Sequence, residues 1–275
     1  MSTTTVETAP AAPSSGAHAA RPARTITPIS MTRLVGVELR KMFDTRAGFW
    51  LMASVGIVSV LATAAVILWA PDAAINQGTF SSAIGMPLSV VLPVIAILAV
   101  TGEYSQRTGL TTYTLVPWRG RVIGAKVVAT LLVGLVSMLL ALAIGAVGNV
   151  AGSALAGVDT TWDVTLAQFA NILLASILGM LIGFMLGVLF RSSPGAIVGY
   201  FVYSLVLPVA FGTLAAFQGW FRDLQPWVDV NFASTRLYDT AMTAEYWQQL
   251  GVATLIWLWI PLALGVRAVL RAEVK

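Results

Sequence analysis

Few side chains in this chain could do chemistry. Its 275 residues include no cysteine and one histidine, and 10% are charged. Without thiols there is no disulfide framework, no thiolate nucleophile and no cysteine-bound metal. His18 stands alone in a tail, and one imidazole cannot build a metal site. No G-x-x-x-x-G-K-[ST] run occurs, so there is no phosphate cradle of the P-loop kind. The densest polar island is 102–126, GEYSQRTGLTTYTLVPWRGRVIGAK, where Arg107, Arg119, Arg121 and Lys126 stand against one acid, Glu103. Such an island between apolar runs reads as a docking surface rather than a linker.

The elements that position this island are membrane spans. The chain is 57% hydrophobic with a mean hydropathy of +0.84, outside the range of soluble domains. About 20 apolar residues cross a bilayer core of roughly 30 Å. Six such runs are expected, near 49–70, 84–101, 127–150, 166–190, 195–217 and 250–269. The second is the shortest because Pro87 and Pro93 interrupt it. The predicted fold is an all-α integral membrane domain over 31–275.

Charge orients the spans, because Lys and Arg stay on the cytoplasmic side of short loops. With the N-terminus inside, fourteen cations and five acids fall inside, a net of +9; two cations and seven acids fall outside, a net of −5. Both termini are therefore expected in the cytoplasm. The pI near 9.7 then reports topology, and no nucleic-acid partner is expected. Thirteen arginines against three lysines point to a GC-rich bacterial genome.

Residues 1–30 are rich in Ala, Pro, Ser and Thr and are expected to be a disordered cytoplasmic tail. They carry no apolar signal core, so the first span is expected to act as an uncleaved insertion signal. Residues 31–48 read as an amphipathic helix on the inner membrane face. Met31, Leu34, Val35, Leu39, Met42 and Phe43 share one half of the wheel, and Arg33, Arg40, Lys41 and Asp44 the other. Glu38 falls in the apolar half. It either snorkels or pairs with Lys41 or an arginine of its own helix, or it meets a basic residue of another cytoplasmic element.

Inside the runs no charge is expected at bilayer depth, which argues against proton- or ion-coupled transport and against a membrane-embedded enzyme. Asn149, Gln168 and Asn171 are expected as helix–helix hydrogen-bond partners. Gly179, Gly183 and Gly187 form a ridge for close helix packing. Pro208 and Pro261 interrupt the fifth and sixth runs, and the carbonyls they free need partners. The segment 218–249 is too polar to span and rich in aromatics, so short interfacial or re-entrant helices capping the pathway are expected there on the external side, or an aromatic belt with no transport role.

With these features assembled, the chain resembles the membrane subunit of type-2 ABC transporters of the bacterial exporter-like class. The resemblance rests on VELRKMFDTRAGFWL running into the first span, on GEYSQRTGLTTYTLVPWRGRVIGAK after the second, and on the aromatic, acidic stretch before the last. Gly109 is followed by Leu110 where the family pattern has Thr. The resemblance implies a permease without ATPase activity, working as a homodimer with two ATPase subunits that bind ATP and Mg. It implies an elbow helix carrying Glu38, Arg40 and Lys41. It also implies a coupling helix in the loop after the second span, with Glu103, Tyr104, Arg107, Thr111, Tyr113 and Leu115 seated on the ATPase. The same loop could instead lay basic residues on anionic lipid, and Arg119, Arg121 and Lys126 are the ones expected to face lipid. Export of a hydrophobic or amphipathic cargo from a bacterial cell membrane is the expected function. A non-transporting membrane scaffold and a secondary transporter remain as alternatives.

Overall fold

The computed structural model describes residues 29–105, 119–238 and 241–271. Among them all regular structure is helical, and six helices are long and apolar enough to cross a membrane. Helix α1 (Met31–Asp44) begins at Ser30, whose hydroxyl accepts the Arg33 N–H at 3.4 Å. Thr45 ends it in extended backbone and caps the next helix, α2 (Arg46–Trp69), by accepting the Gly48 N–H at 3.0 Å. Gly48 is required at this corner, because a Cβ there would collide with the Met42 carbonyl.

Helix α3 (Gln77–Ser105) and helix α4 (Arg119–Ala156) are both longer than their apolar runs suggested. Helix α3 continues through Pro87 and Pro93. Pro93 cannot donate to the Ser89 carbonyl four residues back, and the Tyr200 hydroxyl donates to that carbonyl instead at 2.6 Å. The expectation of a short, interrupted second span is thereby corrected. Helix α4 absorbs Arg119, Arg121 and Lys126, and residues 106–118 of the polar island lie outside the described residues.

Helix α5 (Leu166–Phe190) opens with a capping box between Thr165 and Gln168, so Gln168 serves its own helix terminus rather than a neighbouring helix. The glycine ridge of α5 packs inside the bundle against α3. A Cβ on Gly183 would lie 2.5 Å from the Pro93 carbonyl oxygen, and one on Gly187 3.3 Å from that of Ile97. The core between these helices is built from Ile84, Leu88, Leu92, Ile95, Met180 and Phe184. Asn149 Nδ2 donates to the Thr161 carbonyl at 2.9 Å, tying α4 to the loop that follows it rather than to another helix.

Helix α6 (Ser193–Phe217) and helix α9 (Ala244–Arg271) each contain a π-helical segment, Val202–Val206 and Leu255–Trp259. Each segment ends two residues before a proline, Pro208 or Pro261. Widening to an i→i+5 pattern shifts which carbonyl the missing proline N–H would have served. In α6 that carbonyl is Tyr203, and Asn231 Nδ2 donates to it at 3.1 Å.

Two short helices lie between α6 and α9: α7 (Gly219–Val228) and α8 (Val230–Thr235). They fold back along the bundle. Arg222 donates to the Ala215 and Ala216 carbonyls at the end of α6, Asn231 reaches Tyr203, and Trp257 Nε1 donates to the Val228 carbonyl at 2.7 Å. Tyr203 lies fourteen residues from the end of α6. At about 1.5 Å per residue, the hairpin reaches about 20 Å down the bundle.

Candidate functional site

The first candidate site joins α1 to the end of α3 and the start of α4, the two helices on either side of residues 106–118. Glu38 and Lys41 sit one turn apart on α1, Glu103 lies near the C-terminus of α3, and Lys126 lies in the second turn of α4. Lys41 Nζ lies 2.8 Å from Glu38 and 2.8 Å from Glu103; Lys126 Nζ lies 2.6 Å from Glu38 and 3.2 Å from Glu103. The four charges close a ring of alternating sign. Glu103 is in the last turn of α3, the helix end that disfavours an anion, and the two ammonium groups offset that misfit. Burial lowers the pKa of Lys41, but the Glu103 and Glu38 carboxylates outweigh it and hold the ammonium above the ordinary lysine value.

Lys126 is 4% exposed and also donates to the Ala99 carbonyl at 3.2 Å. The expectation that it faces lipid is corrected: two buried carboxylates draw its ammonium inward. Glu38 pairs both within its own helix, with Lys41, and across to Lys126 of another element. Tyr104 is half-buried against the core, Arg40 is exposed, and Arg121 Nη2 donates to the Ile29 carbonyl at 2.7 Å. Arg107, Thr111, Tyr113 and Leu115 lie outside the described residues, as does the Arg119 side chain.

The second candidate site is a cavity of about 560 Å³ between α3, α5, α6 and the α7–α8 hairpin. Its walls are mostly apolar, with Tyr200, Tyr203 and Ser204 facing it from α6. Asp229, at the turn of the hairpin, is its only charged lining residue among the described ones. Asp229 is 2% exposed. Its Oδ1 accepts the N–H groups of Asn231 and Phe232, and its Oδ2 accepts Gln225 Nε2 at 3.0 Å. Every partner is a neutral donor. The cations of this end are engaged elsewhere: Arg222 binds the α6 terminus, and Arg236 lies over the Phe232 and Tyr246 rings.

The six runs carry no charge at their centres, as expected, but Asp229, from the segment between the fifth and sixth, is buried against them. A loop acid was expected at the outer surface, but the hairpin carries it inward. The signal available in the sequence was the pair Tyr200 and Tyr203 followed by Ser204, a polar patch within an otherwise apolar run.

No known protein-family model matches the chain, and no curated protein matches it in sequence.

Proposed function

We propose that the chain is the permease subunit of an ATP-driven transporter, similar to type-2 ABC exporters, in a bacterial cell membrane with both termini cytoplasmic. A second copy and two P-loop ATPase subunits complete the assembly. The observation that carries this reading is the ion-pair ring, which clamps an amphipathic helix to both helices flanking one basic loop. A force applied to that loop would reach α1, α3 and α4 together. Clustering of Arg33, Arg40, Lys41, Arg46, Arg121, Arg191 and Arg271 on the helix termini and connections of the ring's end supports the orientation. In this reading α1 is the elbow helix at the inner membrane face, and the chain itself carries no ATPase activity.

Copurification of the tagged full chain with the P-loop ATPase encoded beside it tests the proposal. A stoichiometric complex that Arg107→Glu or Tyr113→Ala weakens is the expected result; a chain that purifies without any ATPase overturns it and favours the scaffold. The depth of Asp229 favours one other reading, a proton-coupled secondary carrier. Cargo movement in vesicles driven by a pH gradient, with no ATPase present, would establish that reading instead.

A further inference from the structure

We propose that the cavity between α3, α5, α6 and the α7–α8 hairpin binds a lipophilic organic cation, a bulky amine or quaternary onium, with Asp229 as its counter-charge. This deepens the transport reading, on which the role of the ligand as cargo rests. At about 560 Å³ the space falls within the range of small-molecule pockets, which are mostly apolar with a few placed polar groups.

The sign of the ligand follows from the lining. Asp229 is buried, no cation lies within ion-pair distance of it among the described residues, and no base lines the cavity. An anion would meet uncompensated repulsion. A buried carboxylate served only by neutral donors is costly, and a bound cation offsets that cost. Three donors occupy three of its roughly four acceptor positions, leaving one on Oδ2.

The hairpin does not need the charge. Asp229 caps α8, but asparagine caps a helix as well as aspartate does. The tyrosines add a second recognition element: the Tyr200 and Tyr203 rings lie 6.1 Å apart, and Tyr238, 53% exposed, also lines the cavity. Aromatic faces attract desolvated organic cations. Ser204 Oγ, also on the wall, is buried with no hydrogen-bond partner among the described residues, as expected for a group awaiting a ligand atom.

The test is equilibrium binding of radiolabelled tetraphenylphosphonium to the purified full chain in lipid nanodiscs, without ATPase or nucleotide. Tetraphenylborate, of nearly the same shape and opposite charge, is the control. Saturable binding of the cation, no saturable binding of the labelled borate measured separately, and at least about tenfold weaker cation binding by Asp229→Asn with unchanged thermal unfolding are expected. Ser204→Phe, which fills the cavity from α6, abolishes binding and covers the case in which Asp229→Asn fails to fold. No saturable cation binding by wild type, equal binding of the borate, or undiminished binding by folded Asp229→Asn overturns the proposal. Because no ATPase is present, these outcomes leave the coupling reading untouched. Cation binding by a chain that recruits no ATPase would defeat only the coupling reading.

Discussion

Lys126 and Glu38 show what a buried ion pair demands of its neighbours. Both side chains are under a tenth exposed and 2.6 Å apart, so removing Lys126 leaves two buried carboxylates, Glu38 and Glu103, to share Lys41. Lys126→Met should destabilise the protein by about 3 kcal/mol, and adding Glu38→Gln should recover part of that loss, because breaking a buried pair costs more than replacing it. Thermal unfolding in detergent measures both. Lys41 behaves differently, being half in water. Its folded-state pKa lies above the ordinary 10.5, so its ion pairs contribute fully below pH 10.5 and fade as pH rises through the folded value. The unfolding midpoint should therefore be insensitive to this group from about neutral to about pH 10 and fall beyond it. Lys41→Arg, which does not titrate there, should remove that part of the fall.

Among the elements, α3, α5 and α6 depend on one another through glycine and proline. Gly183→Leu would drive a side chain into the Pro93 backbone and should cost about 1–3 kcal/mol or more. Gly212→Leu, where nothing lies within 4 Å, should be nearly silent. Tyr200→Phe leaves the Ser89 carbonyl unserved and should cost about 1–3 kcal/mol. In a Pro93→Ala background the helix supplies its own N–H to Ser89, so the same substitution should cost little. A double-mutant cycle of unfolding free energies checks this coupling. The six long helices were legible because apolar runs of this length have few other fates. Their ends were not, since the start of α4 carries Arg119, Arg121 and Lys126, and the partners that take Lys126 into the protein, Glu38 and Glu103, are far from it in sequence. The hairpin's short helices could be read from the aromatic composition of 218–249. The depth of Asp229 could not, because it depends on Arg222, Asn231 and Trp257 finding carbonyls far away in the chain.

At the scale of the whole molecule, the ring end and the hairpin end differ in charge, and the proposed orientation rests on that difference. The absence of cysteine makes this simple to measure, because any introduced thiol is the only one. Thr111→Cys, in the basic loop, should react with a membrane-impermeant maleimide only after the cells are opened. Thr160→Cys, in the connection between α4 and α5, should react in intact cells. The reverse pattern would invert the topology and place the ring outside.

Coupling of the ring and the neighbouring basic segment to an ATPase is the central claim. The most direct measurement is ATP hydrolysis by the neighbouring P-loop ATPase, reconstituted in nanodiscs with wild-type chain or with Glu103→Arg, which puts a third cation into the ring. Hydrolysis that depends on the wild-type chain and is lost or uncoupled from cargo in Glu103→Arg is the predicted result. Hydrolysis at the same rate with wild type, with Glu103→Arg and with empty nanodiscs would contradict it.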